Sequence, residues 1–255
     1  MKHIEKKYLF QIKGSEQLKA KWIEETKIDK TIIKKAKENE LFVTTLNDYV
    51  IKAFPYKHKN EIAIIPIPDL TLIYFDSAYN LNRDRLKFEK ELLPKLIASN
   101  IKFGEEFTND IYHYYGNASG CIIFLFTALE SFINHILPDD KIYVVPSERS
   151  TIHYTKAQIQ KSINFDDKIK KVLPNLLEGK SFFKKQTSST QQITNLKNLR
   201  DDLVHTKSDT NFENQKFLMT SLLRFKYDET FKAVREFMNF YKPNYISDCS
   251  CENDY

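Results

Sequence analysis

The rhythm of apolar and polar positions changes several times along the chain, and each change marks an element. Ser15 stands at a helix cap, and Trp22, Ile28, Ile32 and Ile33 give a partial apolar face to a helix running to about Asn39. From Leu41 to Phe75 the rhythm becomes that of strands. LFVTTL, YVIKAF, EIAIIPI and LTLIYF are β-rich runs separated by Pro55, by Lys57 to Asn60, and by Pro66 with Pro68, which predicts a small meander or hairpin. From Asn82 to Tyr115 helical spacing returns through Leu86, Leu92, Leu93, Leu96 and Ile97, then through Phe107, Ile111 and Tyr114. This is one long helix or two broken ones. Gly116 and Asn117 are expected to interrupt it, and Gly120 to Leu137 then forms a strongly apolar helix ended by Pro138-Asp139-Asp140.

A short extended piece, Ile142 to Val145, precedes a helix within Thr155 to Leu177. Gly179 to Gln192 is polar and aperiodic and reads as an exposed loop. Two helices follow, one from Ile193 to about His205 and one from about Asn214 to a stop at Pro243, and the final SDCSCENDY reads as disordered. With the best boundary near Asp76 to Asn82, the chain divides into an N-terminal α+β region (1–78), a helical bundle (79–242) and a disordered tail (243–255).

Composition supports a mainly α fold. Five glycines in 255 residues leave little turn material for a sandwich or barrel, while Lys, Glu, Leu and Ile are abundant. The net charge of +5 rests on 33 Lys and only 6 Arg, so each Arg merits inspection. Three cysteines make no disulfide framework, and the Cys249-Ser250-Cys251 pair lacks companion ligands for zinc, so neither metal nor cofactor is expected. The N-terminus has no apolar signal core, and the run Cys121 to Leu129 is about half the length of a membrane span. A cytoplasmic protein with no membrane partner is the expectation.

The helix from Ile193 to His205 breaks its own pattern. At about 100° per residue, Ile193, Leu196, Leu199, Leu203 and Val204 share one face, and Arg200 falls in the middle of it. A guanidinium in an apolar stripe is costly unless paired. Glu130, on the polar stripe of Thr127, Glu130 and Asn134 along the Gly120 to Leu137 helix, is the partner the pattern offers. On the neighbouring side Thr194, Asn198, Asp201 and His205 line up, with Asp201 and His205 four residues apart and within reach of each other.

Arg200-Asp201-Asp202-Leu203-Val204-His205 resembles the signature of the higher eukaryotes and prokaryotes nucleotide-binding (HEPN) superfamily, an Arg followed by four to six residues and a His on a late bundle helix. FTALESFINHIL and FDDKIKKVLPNLLEGKSF are similar to preceding segments of its abortive-infection-like ribonuclease branch. The resemblance spans about Asn82 to Tyr241 and leaves Met1 to Asp76 unexplained. It implies a metal-independent endoribonuclease of a bacterial defence or toxin system, a homodimer whose two motif helices share one cleft. Arg200 would then bind the scissile phosphate, His205 would act as general base or acid for attack by the ribose 2′-hydroxyl, and Asp201 would orient His205. Products would carry 2′,3′-cyclic phosphate and 5′-hydroxyl ends. Glu130, Asn134 and Asn198 would support the site. Lys184, Lys185 and Lys207 are candidate RNA contacts, with Phe182 and Phe183 beside the first two as stacking candidates. Lys207 also stands where nucleotidylated members carry Tyr. The alternative is a non-catalytic HEPN module that binds nucleic acid or a nucleotide, or a subunit of a multi-protein defence complex. A protein partner or antitoxin would dock on the N-terminal region.

Overall fold

The computed structural model of the chain describes residues 3–13, 42–46, 49–59, 61–97, 104–146, 151–206 and 210–251. The helix expected over Ser15 to Asn39 and the candidate RNA contact Lys207 lie outside the described residues. Two compact units are present, one of Glu5–Ile73 and one of Met1–Ile4 with Tyr74–Tyr255.

In the smaller unit, β1 (Gln11–Lys13), β2 (Phe42–Leu46), β3 (Tyr49–His58) and β4 (Glu61–Pro66) form one antiparallel sheet around β3. Gln11 and Thr44 both lie opposite Ile51, while β4 pairs the second half of β3 from Ala53 to His58. Val50, Ile51 and Ala53 are buried. The expected break at Pro55 does not occur, and Pro55 pairs with Ile64. Beyond Ala53, among the described residues, β3 has a neighbour on one side only, so a missing N–H is tolerated there as on an edge strand.

LTLIYF, expected as a strand, instead opens α1 (Leu70–Ile97). The Asp69 carboxylate accepts the Thr71 N–H at 2.9 Å, as an N-cap does. Buried positions then recur at Leu72, Phe75, Ala78, Tyr79, Asn82 and Arg85. This helical period, sustained well beyond the six residues of the run, outweighs their local β propensity.

The larger unit is mainly α-helical. The helix α2 (Glu105–Ile136) runs unbroken through Gly116 and Asn117. A glycine inside a helix costs about 1 kcal/mol relative to alanine, and burial of Tyr114, Ala118, Cys121, Ile122 and Leu125 on the inner face exceeds that cost. At Gly120 a Cβ would meet Leu81 Cδ1 at 3.0 Å, so the residue's smallness lets α1 approach. Within α2, Phe107–Ile136 is long and apolar enough to cross a membrane by length and composition, and half of its most apolar window is buried in the structure.

After α2 come a hairpin of β5 (Tyr143–Pro146) with β6 (Thr151–Tyr154) and the short helix α3 (Lys156–Ser162), capped by Thr155. Residues 165–176 follow as one winding segment: α4 (Phe165–Asp167), a π-helical turn (Lys168–Val172) and α5 (Leu173–Leu176). Three further helices complete the bundle, α6 (Ser188–Val204), α7 (Glu213–Arg224) and α8 (Tyr227–Tyr241). The single helix expected from Asn214 to Pro243 is thus two, broken at Phe225 and Lys226. α8 lies along α6, α2 packs on both, and α7 touches α2 and α6. At the centre, Phe231 meets Phe75 and Tyr79 edge-on at 5.5 and 4.9 Å. Buried Arg85 pairs with Glu89, donates to Asn82 Oδ1 at 3.0 Å and lies 3.9 Å from the Tyr227 ring centroid.

Two expectations of irregular chain are corrected. In the stretch Gly179 to Gln192, the short 3-10 turn Phe182–Lys184 sets Phe182 5.3 Å from Phe237 and 5.6 Å from Phe240, so this ring packs in an aromatic cluster. Past Pro243, the supposed disordered tail folds back through Cys251: Tyr245 and Ile246 are buried, Asn239 bonds both ways to the Ile246 backbone, and Arg235 pairs with Asp248 at 2.7 Å. Burial of these two side chains outweighs the polar character of the residues around them.

Candidate active site on helix α6

The helix α6 begins five residues before its apolar pattern, at Ser188 rather than Ile193. Thr187 supplies the reason. Its hydroxyl accepts the Thr190 N–H at 3.2 Å, and Thr190 Oγ1 accepts the Thr187 N–H at 2.8 Å, a reciprocal cap that satisfies two helix-end donors. Ile193, Leu196 and Leu199 are buried, whereas Val204 in the last turn is 51% exposed.

Arg200 points across to α2. Its Nη2 lies 3.8 Å from Glu130 Oε2, its Nη1 lies 3.0 Å from Asp201 Oδ1, and its guanidinium carbon sits 4.8 Å from the centroid of the Phe126 ring. Phe126, one helical turn before Glu130, is itself backed by Phe165 at 4.9 Å. The Arg200 side chain keeps 29% of its surface exposed. Two acceptors and an aromatic floor hold one face of the guanidinium while part of it remains open to a ligand. The Glu130–Arg200 contact expected from the two sequence patterns is therefore present, at the rim of the bundle rather than in its core.

Asp201 belongs to the same cluster. Lys197 Nζ donates to Asp201 Oδ2 at 2.9 Å and lies 3.5 Å from Asp166 Oδ2. Burial alone would raise the Asp201 carboxyl, but the hydrogen bonds from Lys197 and Arg200 outweigh it, and its pKa lies below the ordinary value. Asn134 is close by in sequence to Glu130 but serves another group: its Oδ1 accepts from Lys168 Nζ at 3.3 Å, and Gln160 O accepts from the same ammonium at 3.1 Å. Burial pushes the Lys168 pKa below its usual value, against the attraction of Glu130. Lys168 begins the π-helical turn, a local winding often found at functional positions.

His205 stands apart from this cluster. As the C-cap of α6 it has φ −110° and ψ 46°, so its side chain leaves the direction that the helix would give it. Its backbone N–H donates to the Asp201 carbonyl at 2.9 Å, but among the described residues no hydrogen bond joins the Asp201 carboxylate to the His205 ring. The expected orienting contact is thus replaced by Lys197 and Arg200 on the carboxylate. His205 instead lines a small recess of about 60 Å³ with Asp202, Thr206, Asn214, Phe217 and Leu218. Asp202 and Phe217 also border a larger groove of about 450 Å³ between α6 and α7, where Asn195, Asn198, Arg224 and Lys226 supply polar walls.

The structure therefore gathers Arg200, Asp201 and Glu130 on one side of α6 and His205 with Asn198 on another. Lys184 and Lys185 are exposed at the 3-10 turn. Sequence reasoning missed Phe126, Lys168, Lys197 and Arg224. Lys197 was discoverable as the i,i+4 partner of Asp201, and Phe126 as the residue one turn before Glu130. Lys168 and Arg224 arrive from other elements and carry no local signal. Comparison of the chain with family models, with curated proteins and with solved structures gives no match.

Proposed function

We propose that the chain is a metal-independent endoribonuclease of a bacterial defence or toxin system, acting as a HEPN-type homodimer through Arg200 and His205. The observation that carries this reading is Arg200, oriented by Glu130, Asp201 and Phe126 yet partly open, with exposed His205 at the end of the same helix. Arg200 would stabilise charge developing on the scissile phosphate. His205 would take the proton from the 2′-hydroxyl or deliver one to the leaving 5′-oxygen, giving 2′,3′-cyclic phosphate and 5′-hydroxyl ends. Asp201, bound to Arg200, then positions the guanidinium rather than the imidazole. The groove beside His205 fits a role in holding the strand, since Arg224 and Lys226 offer charge to phosphates and Phe217, 66% exposed, offers a stacking face.

In one copy Arg200 is held toward α2 by Glu130, whereas His205 lines the recess beside α7, so the two side chains are held on different neighbours. A second copy of α6 laid against the first resolves this, because the Arg200 of one chain can then face the His205 of the other. Mixing the Arg200→Ala and His205→Ala variants tests the arrangement. Each alone is inactive. In random dimers half are mixed, and each mixed dimer holds one intact pair, so about a quarter of wild-type cleavage returns. No recovery on mixing refutes the composite site, and full cleavage by either variant alone refutes the mechanism.

One observation favours a second reading, a HEPN module that binds RNA without cutting it: Arg200 already contacts two carboxylates. RNA that binds wild-type protein and is never cut, with or without EDTA, selects that reading.

A further inference from the structure

The first and last described residues of the larger unit meet. Ile4 and Asp248 form an antiparallel bridge, and the Cys249 N–H donates to the His3 carbonyl at 2.6 Å. The pairing is anchored by side chains on both strands: Ile4, Tyr245 and Ile246 are buried, and Arg235 holds Asp248. After the bridge residue Asp248 the chain turns at Ser250 and Cys251, and this turn brings Cys251 back beside Cys249 and next to His3. Cys251 Sγ lies 3.3 Å from His3 Nδ1, and one ligand atom from each of the three residues lies within 4.8 Å of the others. The lack of companion ligands around Cys-Ser-Cys holds only along the sequence. In three dimensions His3, 246 positions earlier, supplies one.

We propose that His3, Cys249 and Cys251 bind one thiophilic divalent cation of the zinc class. With metal–sulfur bonds of about 2.3 Å and metal–nitrogen bonds of about 2.0 Å, a tetrahedral site has sulfur–sulfur edges of roughly 3.8 Å and sulfur–nitrogen edges of roughly 3.5 Å. The observed spacings need only small side-chain rotations to reach these edges. Soft thiolate with imidazole selects zinc over magnesium or calcium. Two thiolates and a neutral imidazole offset the dication's charge, and binding releases the two thiol protons. The Cys251 N–H, 3.4 Å from Cys249 Sγ, donates to the sulfur that would carry negative charge. Cys251 is exposed, so the fourth position opens to solvent and takes water or a small anion. The bound ion would clamp the start of the chain to the segment that follows α8. None of its ligands belongs to the α6 cluster, so the site stands or falls apart from the ribonuclease reading.

The test uses the untagged full chain with its thiols reduced, titrated with Co²⁺ and with Zn²⁺. Wild-type protein is expected to take about one ion per chain with a thiolate-to-cobalt charge-transfer band. The C249S/C251S double variant should lose that band, H3A should bind at least about tenfold more weakly, and zinc should raise the melting temperature of wild type alone. Wild-type protein without the cobalt band overturns the proposal. So does equal binding by the double variant, or recovery of Cys249 and Cys251 as a disulfide that zinc does not prevent.

Discussion

Replacing Arg200 by alanine separates a residue that acts on RNA from one that holds the bundle together. The structure sets the stability cost. The contact with Glu130 spans 3.8 Å between side chains 29% and 37% exposed, and ion pairs of that kind contribute about 0.2–1 kcal/mol. Loss of the guanidinium over Phe126 removes about 0.5–1 kcal/mol more. Asp201 keeps Lys197 as a partner, and Glu130, whose side chain is 37% exposed, is left to solvent rather than buried. The sum, about 1–2 kcal/mol, lowers the melting temperature by about 2–8 °C in a chain of this size. Removing a donor that stabilises charge only in the transition state costs a factor of about 10²–10³ in rate. Melting followed by circular dichroism and single-turnover cleavage of end-labelled RNA, run well below the melting temperature, read the two effects independently. Arg200→Lys keeps a positive charge but loses the planar fork, so it should recover more stability than cleavage. The reasoning fails if Arg200→Ala cleaves within about threefold of wild type. It fails equally if melting drops by more than about 15 °C and cleavage falls only with the folded fraction.

Gly116→Ala should raise the melting temperature by about 1–4 °C, because a Cβ there meets nothing within 4 Å and the helix gains about 0.5–1 kcal/mol. Phe182→Ala should destabilise by about 1–3 kcal/mol through lost ring contacts with Phe237 and Phe240 while leaving RNA affinity unchanged; weakened RNA binding by a folded variant would restore the stacking role. Because the folded pKa of Asp201 is lowered, its contribution is complete above the unfolded carboxyl value near about 3.9 and disappears as pH falls through the folded value. The stability gap between wild type and Asp201→Asn should therefore close in acid, and a gap constant from pH 6 to about pH 2 would contradict the cluster geometry. EDTA should leave cleavage by the C249S/C251S variant unchanged, since the proposed chemistry uses no metal. Sensitivity of that variant to EDTA would point to an ion at the α6 site itself.

The elements that sequence alone determined are those whose signal is local and repeats. The mainly α character follows from composition, and the apolar helix around Cys121 to Leu129, the β-rich runs before residue 70 and the odd place of Arg200 in an apolar stripe follow from the local pattern of apolar residues. The pairing of Arg200 with Glu130 was also legible, since two charges each left on a mostly apolar face have few other ways to offset their desolvation. Tertiary structure decided what depends on competition between distant parts of the chain. LTLIYF became helix because its buried face continues to Arg85, and α2 ran through Gly116 because its inner face pays for the glycine. His205 caps the helix and lines the recess beside α7, while Lys197 and Arg200 hold the Asp201 carboxylate. Most distant of all is the meeting of His3 with Cys249 and Cys251, which no window along the sequence contains. Spacing along a chain reports which side chains share a face, whereas burial on other elements decides which face they keep and what they meet there.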